Sequence, residues 1–162
     1  IDPDQDASGQ GPCPLCVHIA AHGNSNELGI GLDSLTWDDL LTAVQPLCKM
    51  PLYTGKVILV ISACGASNQG LTKKLRRRAL KDEGFSPPAY LFVTADEAPS
   101  FDEALVSWIV FYHQLPTVPL EDRKQVQATL RTVGAAGATA LKYYRWDTTN
   151  RRYLSYVPEQ KG

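Results

Sequence analysis

The chain has 162 residues, 44% of them hydrophobic and 20% charged, with a formal net charge of −1. This suffices for one domain with a substantial core, and a charge near zero gives no field that draws nucleic acid or a membrane surface. No apolar run approaches the roughly 20 residues that span a bilayer, and no signal-peptide pattern opens the chain. No secretion, membrane partner or nucleic-acid partner is therefore expected. Cys13, Cys16, Cys48 and Cys64 are read as reduced thiols in a cytoplasmic protein, because a chain this rich in core residues needs no disulfide staples.

Residues 1–12 are polar and rich in Asp, Gly and Pro, and read as a disordered lead or an expression remnant. Residues 15–21, LCVHIAA, suit a buried strand that His22-Gly23-Asn24 stops. Residues 24–35 hold Gly29 and Gly31 and predict a loop or a small hairpin. Thr36 through Asp39 form a capping box, with Leu35 and Leu40 placed as a hydrophobic staple. The helix they open carries Leu40, Leu41, Val44 and Cys48 on one stripe, and Pro46 predicts that it ends or kinks near Val44 or Gln45. Residues 56–63, KVILVISA, form the strongest strand, apolar on both faces as in a parallel sheet. Leu71, Leu75 and Ala79 mark the next helix, which carries a basic run. Residues 89–94 predict a third strand. A second capping box, Ser100 to Glu103, opens a helix expected to turn Leu105, Trp108, Ile109, Tyr112 and Leu115 inward. A helix over 120–133 follows, broken at Gly134–Gly137. Residues 141–146 and 151–157 predict a terminal hairpin across 147–150, and 159–162 are a tail.

Strands alternating with helices imply a parallel sheet with right-handed crossovers. Such a sheet places its ligands at the carboxyl edge. His22 directly follows one strand and Cys64 ends the next, so neighbouring strands about 4.8 Å apart bring a thiol and an imidazole to the same edge. Gly23 and Gly65 follow them, and glycine lets a carbonyl substrate approach the backbone. The Gly23 and Cys64 amides are candidate donors to an oxyanion.

These residues resemble the caspase fold group. A strand ending in His22-Gly23, a capped helix, and a strand ending in Ser62-Ala63-Cys64-Gly65 are most similar to the CHAT-domain proteases. Asp102, Phe111, Tyr112 and Leu115 are similar to the helix that follows their catalytic strand. The resemblance spans about Cys16 to Val157, within an expected peptidase domain of residues 13–158. It implies a three-layer α/β fold with a mainly parallel sheet and a C-terminal hairpin. It also implies cleavage of a protein or peptide substrate by a Cys64/His22 dyad, with no metal and no organic cofactor. Gly23 and Cys64 would supply the oxyanion amides, and Ser62 and Gly65 would border the substrate. Two departures stand out. The family's usual first two strands are lacking, with only the polar lead before residue 15. Ser62 stands where members that cut after basic residues often carry an acid, so no basic specificity follows.

Plainer readings compete at each position. Cys64 alone reads as a small core residue, and His22 alone as a polar residue at a strand end. A caspase-like scaffold that binds a protein partner without chemistry is the alternative function. Cys13, Cys16, His18 and His22 have a zinc-like spacing, yet on a strand His18 and His22 stand about 13 Å apart. His113 reads as a surface residue and 73–81 as a solvated basic face. Without the two missing strands, residues 15–21 become a sheet edge with no lysine to blunt it. That edge is expected to pair with an upstream segment, a second chain as in a homodimer, or a partner.

Overall fold

The computed structural model describes residues 13–66, 70–95, 98–136 and 139–156. The expected lead at 1–12 and tail at 159–162 lie outside the described residues, as do Val157 of the last predicted strand and Gly137 of the predicted helix break.

A five-stranded sheet runs in the order β1 (Leu15–Ala20), β5 (Val57–Ser62), β6 (Tyr90–Thr94), β7 (Leu141–Asp147), β8 (Arg152–Tyr156). Its first half is parallel, β1 with β5 and β5 with β6, and its second half is antiparallel, ending in the β7–β8 hairpin. The sheet is thus mixed rather than parallel throughout. Among the described residues four α-helices cover it: α1 (Trp37–Lys49), α2 (Gly70–Lys81), α3 (Phe101–Gln114) and α4 (Arg123–Ala135).

The strand period of two sorts β5 and β6 between two cores. Val57, Leu59 and Ile61 face α1 and α2, where Leu40, Leu41, Val44, Leu71 and Leu75 pack. Ile58 and Val60 face α3 and α4, with Trp108, Phe111, Val126 and Leu130. Both faces of β5 are therefore buried, as its apolar run predicts. No helix among the described residues is long and apolar enough to cross a membrane.

The small-hairpin alternative for residues 24–35 is the one that forms: β3 (Glu27–Ile30) and β4 (Asp33–Thr36) pair antiparallel and turn back at Gly31, φ +63°, and β2 (His22–Gly23) adds a third strand to them. Three other local expectations change. Helix α1 does not stop before Pro46 but runs on to Lys49. Cys48 is buried in the core beyond the proline, and that packing carries the helix through the lost hydrogen bond. Helix α3 is rotated from the expected phase. Leu105 and Ile109 are 48% and 60% exposed, while Ala104, Ser107, Trp108 and Phe111 are buried. Trp108 and Phe111 fill the core on that face, and Ser107 Oγ donates to the Thr139 carbonyl at 2.7 Å. Strand β1 is a half-buried edge rather than a fully buried strand. Its inward residues Val17 and Ile19 reach the core, and Cys16, His18 and Ala20 are exposed.

Both capping boxes form. Thr36 Oγ1 accepts from the Asp39 amide and Ser100 Oγ from the Glu103 amide, each at 3.2 Å. The second fixes where α3 begins, at the carboxyl edge of β6.

Candidate functional site

Strands β1 and β5 pair in register, with Ala20 opposite Ser62. Two residues further along each chain stand His22 and Cys64, so the parallel pairing sets them at one edge. Both line a single cleft of about 630 Å³, a size usual for a ligand site. Its rim and walls include Ser62 and Ala63 at the end of β5, Gly29, Ile30 and Gly31 of the small sheet, Pro99 and Ser100 before α3, and Phe101, Ala104, Leu105 and Trp108 of α3. His22 is exposed and Cys64 half-buried.

The two segments are held to each other mainly through their backbones. The Ala21 amide donates to the Ser62 carbonyl at 3.1 Å. Thr94 Oγ1, fully buried on β6, donates to the Ala63 carbonyl at 3.1 Å. Trp37 Nε1 donates to the Ser25 carbonyl at 2.9 Å and ties the turn after His22 to α1. Gly65 has φ +69°, and a Cβ there would stand 2.7 Å from the Asn24 carbonyl carbon and 2.8 Å from the Ser25 nitrogen. A Cβ at Gly23 would stand 3.1 Å from both the Ala63 Cβ and the Cys64 carbonyl oxygen.

The glycines therefore do something other than what the sequence suggested. Space for a substrate is not what they provide on the Cβ side, because each lets one loop touch the other. Gly65 packs against Asn24 and Ser25 on its Cβ side and is not among the residues that line the cleft. Ser62, by contrast, lines the cleft. The Asn24 amide donates to the Glu27 carbonyl at 3.0 Å. In the alternating antiparallel ladder this turns His22 and Asn24 toward β3 and the Gly23 N–H away from it.

The zinc-like residues are spread out. Cys13 and Cys16 are exposed. Cys16 Sγ meets the Tyr112 hydroxyl at 3.8 Å, and the His18 ring stacks edge-on against Trp108 at 5.1 Å. Partial desolvation against the α3 aromatics raises the Cys16 thiol above its ordinary value, with the Tyr112 hydrogen bond opposing, and lowers the His18 imidazole. No cluster of three metal-ligating side chains exists among the described residues. His113 is exposed. The basic face of α2 is partly engaged with α1: Lys74 Nζ stands 3.2 Å from Asp38 Oδ2, and Arg78 donates to the Asp38 carbonyl and to Thr42 Oγ1.

Sequence reasoning did not find the α3 wall or the Gly29–Gly31 rim. The signal was present, since a helix that directly follows parallel strand β6 must start at the edge where His22 and Cys64 sit. No family model, curated protein or solved structure matches the chain.

Proposed function

We propose that the chain is a caspase-like cysteine endopeptidase, similar to the CHAT-domain proteases, working through a Cys64/His22 dyad in a cytoplasmic setting. The observation that carries this reading is the placement of His22 and Cys64 past the ends of paired parallel strands, in the wall of one cleft. That all four cysteines are free supports a reducing compartment.

In the proposed reaction the Cys64 sulfur attacks the carbonyl carbon of the scissile peptide bond. The tetrahedral oxyanion is held by the Gly23 and Cys64 amides. His22 takes the thiol proton and delivers it to the leaving amine as the C–N bond breaks, leaving a thioester on Cys64. Water then attacks the thioester with His22 as base, releasing the acid and restoring the thiol. No metal or organic cofactor enters.

The test is cleavage of an unfolded protein substrate by the wild-type chain, by Cys64→Ala and by His22→Ala. Both variants are expected to lose activity, and both should melt as wild type does, because neither side chain belongs to the core. Full activity in Cys64→Ala ends the proposal.

A second reading, a caspase-like scaffold that docks a protein partner, draws on different features. The outer side of β1 has no strand partner among the described residues, and Val106 and Ile109 on α3 expose apolar surface. Equal inertness of wild type and Cys64→Ala would favour it.

A further inference from the structure

The cleft's chemistry is one-sided. Among the described residues that line it, the ionisable side chains are His18, His22 and Cys64, and no lysine, arginine, aspartate or glutamate is present. The His18 ring lies against Trp108 and Tyr112, at 5.1 and 5.6 Å between ring centres. Opposite the Ser62–Cys64 segment stands an apolar wall. Ala104 and Trp108 are buried in the core beneath it, while Phe101 and Leu105 rise from α3, 77% and 48% exposed. Ile30, 52% exposed, closes the side formed by the small sheet. Large aliphatic and aromatic surfaces left open to water are unexceptional singly. Three of them bordering one cleft, beside a thiol and an imidazole, form a concave apolar lining of the kind that receives a ligand.

We propose that Ile30, Phe101, Ala104, Leu105 and Trp108 form the pocket for an uncharged apolar side chain of the peptide, next to the bond that Cys64 attacks. This rests on the peptidase reading and adds its substrate class. A basic side chain entering this cleft leaves water and meets no carboxylate among the described lining residues, and an acidic one meets only the His18 and His22 imidazoles, so neither gains a full ion pair for its lost hydration. A leucine or phenylalanine side chain covers Phe101, Leu105 and Ile30 and removes apolar area from water on both partners. Leu105 is the specificity-determining residue, because it stands on the helix face turned to the cleft and its outer half is free of core contacts. Its replacement by a carboxylate supplies a negative charge that none of the described lining residues carries.

The experiment uses the Cys64→Ala chain, so that binding is read without turnover. Capped peptides that differ only in a central Leu, Arg or Asp are titrated by calorimetry. The Leu peptide is expected to bind at least tenfold more tightly than the Arg and Asp peptides, in line with the roughly 10–200-fold that apolar pockets discriminate. Adding Leu105→Glu should remove the Leu preference and raise affinity for the Arg peptide. If the Arg or Asp peptide binds as tightly as the Leu peptide, or if no peptide binds, the pocket assignment is overturned. If the Leu preference holds while the wild-type chain fails to cleave, the peptidase reading fails and the pocket assignment stands.

Discussion

Gly65→Ala tests how the two halves of the site are joined. Gly65 has φ +69°, where a side chain is strained whatever its surroundings, at a cost of roughly 1–2 kcal/mol. It also has no room: the added carbon would lie 2.7 Å from the Asn24 carbonyl carbon and 2.8 Å from the Ser25 nitrogen. These are backbone atoms, and Trp37 Nε1 holds the Ser25 carbonyl from behind, so the turn that follows His22 must shift. Strain and displacement together cost about 2–3 kcal/mol. For a domain of this size that lowers the melting temperature by roughly 4–12 °C, taking about 2–4 °C per kcal/mol. A shift near 1 Å between His22 and Cys64 costs about 100-fold in rate. Gly55→Ala is the control: it too has positive φ, +70°, but nothing lies within 4 Å of the added carbon. Gly55→Ala should lose only the conformational part of the stability and keep full cleavage. Thermal melts and cleavage rates of the two variants separate strain from collision. If Gly65→Ala melts with Gly55→Ala and cleaves at the wild-type rate, the loops are not locked through Gly65.

Burial pushes the Cys48 thiol up to about 11, above an ordinary value of about 8.5. Between those values the folded chain keeps a proton that the unfolded chain releases, so stability falls as pH rises through that window. Melts from pH 8 to 11 should show the fall, and Cys48→Ala should flatten part of it; parallel profiles would remove Cys48 as a cause. Strand β1 makes a different prediction. Because the Ala21 amide faces β5, the backbone groups of Cys16, His18 and Ala20 point outward, and two copies of the chain can pair there antiparallel. Light scattering over a concentration series should show association that Ala20→Pro weakens, since a proline whose missing N–H faces outward leaves the β5 pairing intact. A chain that stays monomeric throughout leaves the edge to an upstream segment or another protein.

Much of this architecture was legible in the residues. Continuous β-branched sequence at Val57 to Ile61 announced a strand buried on both faces, and Thr36 and Ser100 announced two helix starts that the structure places within a residue. What could not be read was decided by tertiary contacts. The face that α3 buries is made of contacts distant in sequence: Trp108 and Phe111 against the sheet and Ser107 to the Thr139 carbonyl. Pro46 was overruled by the burial of Cys48 beyond it. The hairpin after His22 was one of the two readings that Gly29 and Gly31 allowed, but the strand His22–Gly23 that joins it has two residues, too short for a period to show. At the site, His22 and Cys64 could be placed on one edge from strand order alone. The role of the glycines could not, because it lies in contacts between loops.

The central claim is that His22 makes Cys64 a reactive thiol, and the other cysteines supply the standard against which to measure it. Cys13 is exposed and stands outside the cleft lining, and Cys48 is buried. Brief treatment of the folded chain with iodoacetamide at neutral pH, followed by mass mapping, ranks the thiols by thiolate character and access. Cys64 should be modified ahead of Cys13 and far ahead of Cys48, and His22→Ala should erase its lead over Cys13. Modification of Cys64 no faster than Cys13, with His22 in place, would contradict the dyad.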